Sequence, residues 1–317
     1  MIGSPSPGTW ARPGARRVAH FVAALTLTLA TVTPRAAAAQ TAATAVAGPP
    51  PIRVVDIRWL ADHLRDRDLV VIQVEREVTP ETPRIPGARV IPYRALVVNR
   101  DGLSTELPPP DSLASLFASL GVNANSLVVV TTSYEPPMAA RGVMSLDVLG
   151  HNALAFLSGG VHQWKQEGRA LTTETPAVSR GTFTARPRLE SVVDAAWITA
   201  RQGKGLALID TRTDEEYTGA GGRNGMPSDG HPTGARQLQW EQLFADEAHQ
   251  QLLGPAALRA LYANRMQPGD TLVTYCWIGY RASMTYVAAR TLGLPVRFYD
   301  GSYQDWQKRG LHVEKGR

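Results

Sequence analysis

Thr271-Leu272-Val273-Thr274-Tyr275-Cys276-Trp277-Ile278-Gly279-Tyr280-Arg281-Ala282-Ser283 holds the one cysteine of the chain. Its first five residues are apolar and rich in β-branched types, which predicts a short buried strand. From Ala282 to Thr291 apolar residues recur at helical spacing, and Leu292-Gly293 supplies a helix end. Cys276 therefore stands on the turn from a buried strand into a helix, at the mouth of a sheet. The first N–H groups of a helix have no partner in it, and the helix dipole favours negative charge there. Both effects favour thiolate over thiol, so Cys276 is a candidate nucleophile. Gly279 allows the turn to close tightly, and Arg281 adds a fixed positive charge. A lone cysteine is more often a buried structural thiol; the strand–loop–helix setting favours the nucleophile here.

Outward from this stretch, the chain repeats itself. Val54-Val55-Asp56-Ile57-Arg58-Trp59-Leu60 returns as Val192-Val193-Asp194-Ala195-Ala196-Trp197-Ile198, and Leu69 to Glu75 returns as Leu206 to Arg212. Gly87-Ala88-Arg89 matches Gly234-Ala235-Arg236, Leu149-Gly150 matches Leu292-Gly293, and Gly159 with Trp164 matches Gly301 with Trp306. A repeat of about 140 residues is too long for a solenoid, so each copy is a domain. Within each copy short apolar runs alternate with helical patterns, which predicts an α/β fold: two domains, each a mostly parallel sheet covered by helices on both faces. Ligands of such sheets bind beyond the carboxyl ends of the strands, where Cys276 and Asp210 both fall. Aligned through Leu149-Gly150, the first copy carries Ser133 at the position of Cys276, and Gln73 and Glu75 at those of Asp210 and Arg212. Its loop, Ser133-Tyr134-Glu135-Pro136-Pro137-Met138, has no thiol, glycine or arginine. The first copy reads as a scaffold that walls the cleft.

The ends of the chain read differently. Arg12, Arg16 and Arg17 precede an apolar run from Val18 to Val32, followed by Pro34-Arg35-Ala36-Ala37-Ala38-Ala39-Gln40. A positive region, an apolar run and an Ala-x-Ala site predict a cleavable signal peptide over 1–39, hence a periplasmic or secreted protein with no membrane span after cleavage. The remaining boundaries are a flexible leader over 40–51, a first domain over 52–171, a Thr- and Pro-rich linker over 172–187 and a second domain over 188–317. The net charge of +5 falls to about +1 without residues 1–39, and no basic run interleaved with aromatics occurs, which excludes a nucleic-acid binder. One cysteine excludes an internal disulfide, and the scattered histidines offer no metal-ligand spacing.

These residues resemble the tandem-domain rhodanese family of sulfurtransferases, over about Ile52 to His312. Asp210-Thr211-Arg212 with Glu216-Tyr217 is similar to the signature after the family's second strand, and Gly230-His231-Pro232-Thr233-Gly234-Ala235 to its Gly-His-Ile-Pro-Gly-Ala turn. Cys276-Trp277-Ile278-Gly279-Tyr280-Arg281 resembles its six-residue active loop, and Gly301 to Trp306 its closing signature. The resemblance implies a ping-pong reaction without cofactor or metal: Cys276 takes sulfur from a small-molecule donor and yields it to a thiophilic acceptor, cyanide or a thiol. It implies active-loop and substrate contacts for Trp277, Ile278, Gly279, Tyr280, Arg281 and Arg212, with Asp210, Glu216 and His231 in support.

The donor is implied by the loop. A mercaptopyruvate-type loop carries Ser where this chain has Ile278, and a His where it has Arg84. Cys-x-x-Gly-x-Arg-x-Ser is similar to a thiosulfate-type subgroup. Glu216 stands where many members carry a second substrate arginine, either paired with Arg281 or as a solvated carboxylate. Asp210 is expected to accept backbone N–H groups of the loop, and Arg212 to bind substrate or form an internal ion pair. A phosphatase loop needs five residues between Cys and Arg; here there are four. The remaining alternatives are a 3-mercaptopyruvate sulfurtransferase and a sulfur carrier that hands its sulfur to one protein acceptor.

Overall fold

The protein is described from a computed structural model over residues 48–222, 225, 227–246, 248 and 251–317. The predicted signal peptide, most of the predicted leader and His249 lie outside the described residues.

The repeat in sequence is a repeat in architecture. The first half contains β1 (Arg53–Val55), α1 (Ile57–His63), β2 (Leu69–Glu75), β3 (Arg89–Pro92), β4 (Val98–Arg100), β5 (Leu103–Glu106), α2 (Pro110–Ser119), β6 (Leu127–Thr131), α3 (Pro136–Val148), β7 (Leu154–Leu157) and α4 (Gly160–Gln166). The second contains β8 (Val192–Val193), α5 (Ala195–Thr199), β9 (Leu206–Asp210), α6 (Asp214–Thr218), β10 (His231–Pro232), β11 (Arg236–Gln237), α7 (Pro255–Ala263), β12 (Thr271–Tyr275), α8 (Tyr280–Thr291), β13 (Val296–Tyr299), α9 (Ser302–Lys308) and β14 (Val313–Glu314). Parallel strands run β3-β2-β6-β7-β1 in one sheet and β11-β9-β12-β13-β8 in the other, the same order twice. Each half adds an antiparallel pair of its own, β4–β5 in the first and β10–β14 in the second.

Local chemistry repeats as well. Asp56 caps α1 by accepting the Trp59 N–H at 2.7 Å, and Asp194 caps α5 by accepting the Trp197 N–H at 2.8 Å. An aspartate at this position satisfies an N–H that the first helical turn leaves unpaired. Period-two alternation then sorts the strands: Val70, Ile72 and Val74 face the middle of the molecule, while Leu69 and Val71 face an outer layer with Trp164. In the second half Leu272 faces the middle, and Val273 and Tyr275 face an outer layer with Trp306.

One apolar core joins the halves. It runs from Ile72 and Val130 through α3 and α8 to Ile209, Leu272 and Phe298. Every residue of α3, and Arg281 to Arg290 of α8, is buried, as expected of helices packed on all sides. Asp147 of α3 sits in this seam and accepts from Tyr286 Oη and Arg290 Nε of α8, each at 2.8 Å, and from Arg188 Nη1 at 2.5 Å. A buried carboxylate is tolerable there because two guanidinium groups and a phenol surround it.

Residues 172–187 hold no helix and are stitched to the first half. The N–H groups of Gly181, Phe183 and Arg186 donate to the carbonyls of Ala118, Val122 and Leu149 at 2.8, 3.1 and 2.8 Å. At the described end of the leader, Arg290 Nη2 donates to the Pro50 carbonyl at 2.9 Å. No described helix is long and apolar enough to cross a membrane.

Candidate active site

Strand β12 lies beside β9 with Tyr275 opposite Asp210, so Cys276 leaves the sheet at its carboxyl rim. The loop 276–279 ends on Gly279, the N-cap of α8, at φ +83°. A Cβ there would stand 2.9 Å from Phe298 Cζ, so both the backbone angle and the space require glycine. Cys276 is 1% exposed.

The loop's carbonyls are all tied outward. Cys276 O accepts the Tyr303 N–H at 2.9 Å, Trp277 O accepts the Gln304 N–H at 3.1 Å, and Ile278 O accepts the Thr105 hydroxyl. In a trans peptide the carbonyl and the following N–H point to opposite sides. The N–H groups of Trp277, Ile278 and Gly279 are therefore turned to the inner side of the loop, and no acceptor among the described residues takes them. Three successive N–H groups left free in a loop that leads into a helix start are the donors of an anion nest. Such a nest stabilises a thiolate, and equally the charge of a persulfide.

Ser302, which sequence reasoning missed, anchors the nucleophile itself. Its hydroxyl accepts the Cys276 N–H at 3.4 Å and donates to the Tyr299 carbonyl at 3.0 Å, from a backbone with φ +52°. The equivalent position of the first half is Gly160, at φ +56°. The half without a cysteine thus uses the unstrained residue, and the half with one tolerates a strain of about 1–3 kcal/mol to place a hydroxyl. The strain and the roughly 1 kcal/mol of a hydrogen bond nearly offset, so Ser302→Gly is expected to leave Tm within about 3 °C. Alkylation of the Cys276 thiol should still slow about tenfold as its backbone loses the anchor. Differential scanning calorimetry beside an alkylation-rate assay checks this, and an unchanged rate would contradict it.

The charged residues resolve into two pairs. Glu216 and Arg281 meet end-on, Arg281 Nη1 and Nη2 donating to Glu216 Oε2 and Oε1 at 2.6 and 2.8 Å, both nearly buried. Of the two arrangements open for Glu216 in sequence, the ion pair is the one present. The same carboxylate completes a capping box on α6, accepting the Thr213 N–H at 3.0 Å. Burial pushes the Glu216 carboxyl up, but the hydrogen bonds and charge of Arg281 outweigh it and hold the group below its ordinary value.

Arg212, expected among the substrate contacts, is instead entirely buried. Its Nε and Nη2 donate to Asp210 at 2.9 and 2.6 Å, Nη2 to the Gly230 carbonyl at 2.8 Å, and Nη1 to Ser228 Oγ at 3.0 Å. The guanidinium lies 3.8 Å over the Tyr303 ring. Four of its five N–H donors are spent inside the protein and its side chain is fully buried, which takes it out of reach of a ligand. Asp210 departs from expectation too: it accepts from Arg212 and from Tyr275 Oη at 2.5 Å, and no N–H of the active loop reaches it. It acts on the loop through Tyr275, the residue before Cys276.

Trp277 and Ile278 pack into the outer layer of the second half, Trp277 tilted against Tyr303 at 5.2 Å. Tyr280 turns to the first half, where its hydroxyl donates to Glu135 at 3.0 Å and its ring meets Tyr93 edge-on. His231 stacks on Tyr217 at 3.8 Å with Nδ1 against the Tyr217 carbonyl at 2.8 Å, a structural setting.

The residue equivalent to Cys276 in the first half is Thr132, where the sequence alignment gave Ser133. Thr132 follows the β6 residue paired with Gln73, as Cys276 follows the β12 residue paired with Asp210. Its carbonyl accepts the Val161 N–H at 3.0 Å, as that of Cys276 accepts the Tyr303 N–H. Helix α3 is one residue longer than α8, so an alignment anchored at the helix end slips by one.

A rhodanese-like domain signature matches residues 194–309. The chain is 30% identical over 283 residues to the sulfur carrier protein TtuD of Thermus thermophilus, covering 83% of this chain and 96% of that one. The chain belongs to the rhodanese family. It is also similar to the probable 3-mercaptopyruvate sulfurtransferase of Pseudomonas aeruginosa (31% identity, 80% and 94% covered) and to the thiosulfate sulfurtransferase of Azotobacter vinelandii (28%, 80% and 93%). The rhodanese-fold crystal structure of SseA from Escherichia coli superposes with a TM-score of 0.69 at 23% identity, covering 79% of this chain and 98% of that one, which supports the fold alone.

Proposed function

We propose that this rhodanese is an exported thiosulfate sulfurtransferase working through a persulfide on Cys276. The Cys276 thiolate attacks the outer sulfur of thiosulfate. A new S–S bond forms, the S–S bond of thiosulfate breaks, and sulfite leaves with its electron pair. A thiophilic acceptor then attacks the terminal sulfur and releases the thiolate; with cyanide the product is thiocyanate. The observation that carries the reading is the free N–H side of the Cys276 loop, which matches the negative charge present at every stage. Comparing thiocyanate formation from thiosulfate and from 3-mercaptopyruvate tests it, with thiosulfate expected to give the higher kcat/KM. Recovery of the protein from the periplasm or medium without residues 1–39 tests export.

A sulfur-carrier reading is the second, favoured by the identity to the Thermus thermophilus carrier and by the nearly complete burial of Cys276. Its signature is a persulfide that small acceptors discharge poorly and a protein acceptor discharges fast.

Glu216 tunes the donor site in this reading, because it cancels the charge of Arg281. Glu216→Gln is expected to lower KM for thiosulfate several-fold, an effect on the order of 1 kcal/mol, while reducing Tm. The folded-state carboxyl lies below its ordinary value of 4.5, so the pair's stabilisation is complete above about pH 4.5 and lost as pH falls through the depressed value. The variant should therefore lose the share of the acid-limb dependence of stability that this pair contributes below about pH 4.5. Steady-state kinetics and Tm against pH check both, and an unchanged KM would contradict the tuning role.

A further inference from the structure

We infer that Thr105, on the β4–β5 pair of the first half, is a positioning residue for the Cys276 loop of the second. The inference rests on the reading of Cys276 as the sulfur-accepting nucleophile. Thr105 has φ +61°, in the left-handed region, where a β-branched side chain is a true outlier. Glycine or asparagine would occupy that backbone at lower cost. What threonine supplies is a hydroxyl against the Ile278 carbonyl, 173 residues away in sequence.

No other donor among the described residues reaches that carbonyl. The hydroxyl also lies 2.7 Å from the Ser104 carbonyl, which has a donor of its own in Gln304 Nε2 at 2.8 Å, whereas the Ile278 carbonyl has the Thr105 hydroxyl alone. Fixing the Ile278 carbonyl outward fixes the Gly279 N–H inward, because the two belong to one trans peptide. Without the hydroxyl that peptide is free to rotate, and the nest loses one of its three aimed N–H groups. The other two are held from within the second half, by Tyr303 and Gln304.

The first half is built to hold Thr105 in place. Arg141 of α3, whose side chain is fully buried, donates from Nη2 to the Thr105 carbonyl at 2.7 Å. Its Nη1 makes no hydrogen bond and lies 3.4 Å from where a Cβ on Gly279 would stand, so the same guanidinium that holds Thr105 sits beside the start of α8. The Ser104 N–H donates to Gln304 Oε1 at 3.0 Å, and the Leu107 N–H to Asp300 Oδ2 at 2.9 Å. The strained residue is thus flanked by ties to the second half on either side, as strain held at a functional site requires. The half that lacks a cysteine contributes one hydrogen bond to the nest of the half that has it.

The test compares Thr105→Val, which keeps the shape and removes the hydroxyl, with Thr105→Ser, which keeps the hydroxyl. Thr105→Val is expected to lower kcat for sulfur transfer about tenfold with KM for thiosulfate within about twofold, since one aimed N–H is lost and the donor contacts remain. Iodoacetamide alkylation of Cys276 at neutral pH should slow about threefold. Thr105→Ser should restore both. Wild-type kcat and alkylation in Thr105→Val, or loss of both in Thr105→Ser while the protein stays folded, would overturn the inference. Alkylation needs only the thiol, so it judges Thr105 even if wild-type protein takes no sulfur from thiosulfate, a result that would count against the proposed donor instead.

Discussion

Cys276→Ser protein is expected to form no thiocyanate from thiosulfate and cyanide, a loss of at least about 10³-fold, because no second group replaces a covalent nucleophile. The chain has no other cysteine to take over, and the first half holds Thr132 at the equivalent place. A serine in the nest keeps its hydroxyl proton at neutral pH, so the three N–H groups have no anion to stabilise. The loop itself should survive, since its carbonyl ties and the Ser302 contact involve backbone atoms that the substitution leaves alone. Tm should accordingly stay within about 3 °C of wild type. Residual turnover above a few per cent would move the chemistry to another residue.

The second large effect concerns stability. Arg212→Met strands Asp210 in the core with Tyr275 as its main remaining partner. Removing one member of a buried pair costs about 3–5 kcal/mol, because the other charge is left without compensation. In the wild type, burial works against the charge on Arg212 and Asp210 more than restores it, holding the guanidinium above its ordinary value. A drop in Tm on the order of 10 °C is expected for Arg212→Met. The double variant Asp210→Leu with Arg212→Met should recover much of it, since apolar replacement of a whole buried pair is often neutral. Thermal melts of the two proteins decide the matter. A single variant that melts within about 2 °C of wild type but shows a tenfold higher KM would return Arg212 to the substrate site.

The sequence made legible whatever repeats or is local. The duplication, the parallel α/β halves and the strand–loop–helix around Cys276 rest on apolar period and on neighbours in the chain, and Asp56 and Asp194 cap their helices in the same way. The Glu216–Arg281 pair was one of two readings, because the family's usual arginine position drew notice to a glutamate. Arg212 stayed open between a substrate contact and an internal ion pair because sequence shows a charge without its burial, and the partners that decide for the ion pair are Asp210 and the Gly230 turn. Thr132 was missed by one residue because a single extra residue in α3 leaves no mark in the pattern. Ser302 was within reach, since the same repeat sets it against Gly160, a glycine whose conformation a serine must share. Thr105, Arg141 and Asp300 had no signal: Thr105 reaches the Ile278 carbonyl, Arg141 holds the Thr105 carbonyl and Asp300 takes the Leu107 N–H, all between segments far apart in the chain, and nothing local announces them.

The measurement that bears most directly on the account is the intact mass of the purified wild-type protein before and after incubation with thiosulfate. The account predicts a gain of about 32 Da, one sulfur on the one cysteine, discharged on adding cyanide with stoichiometric thiocyanate. An unchanged mass with thiosulfate, under conditions where 3-mercaptopyruvate does load the protein, would contradict thiosulfate as the donor. No gain from either donor would contradict the persulfide on Cys276 itself.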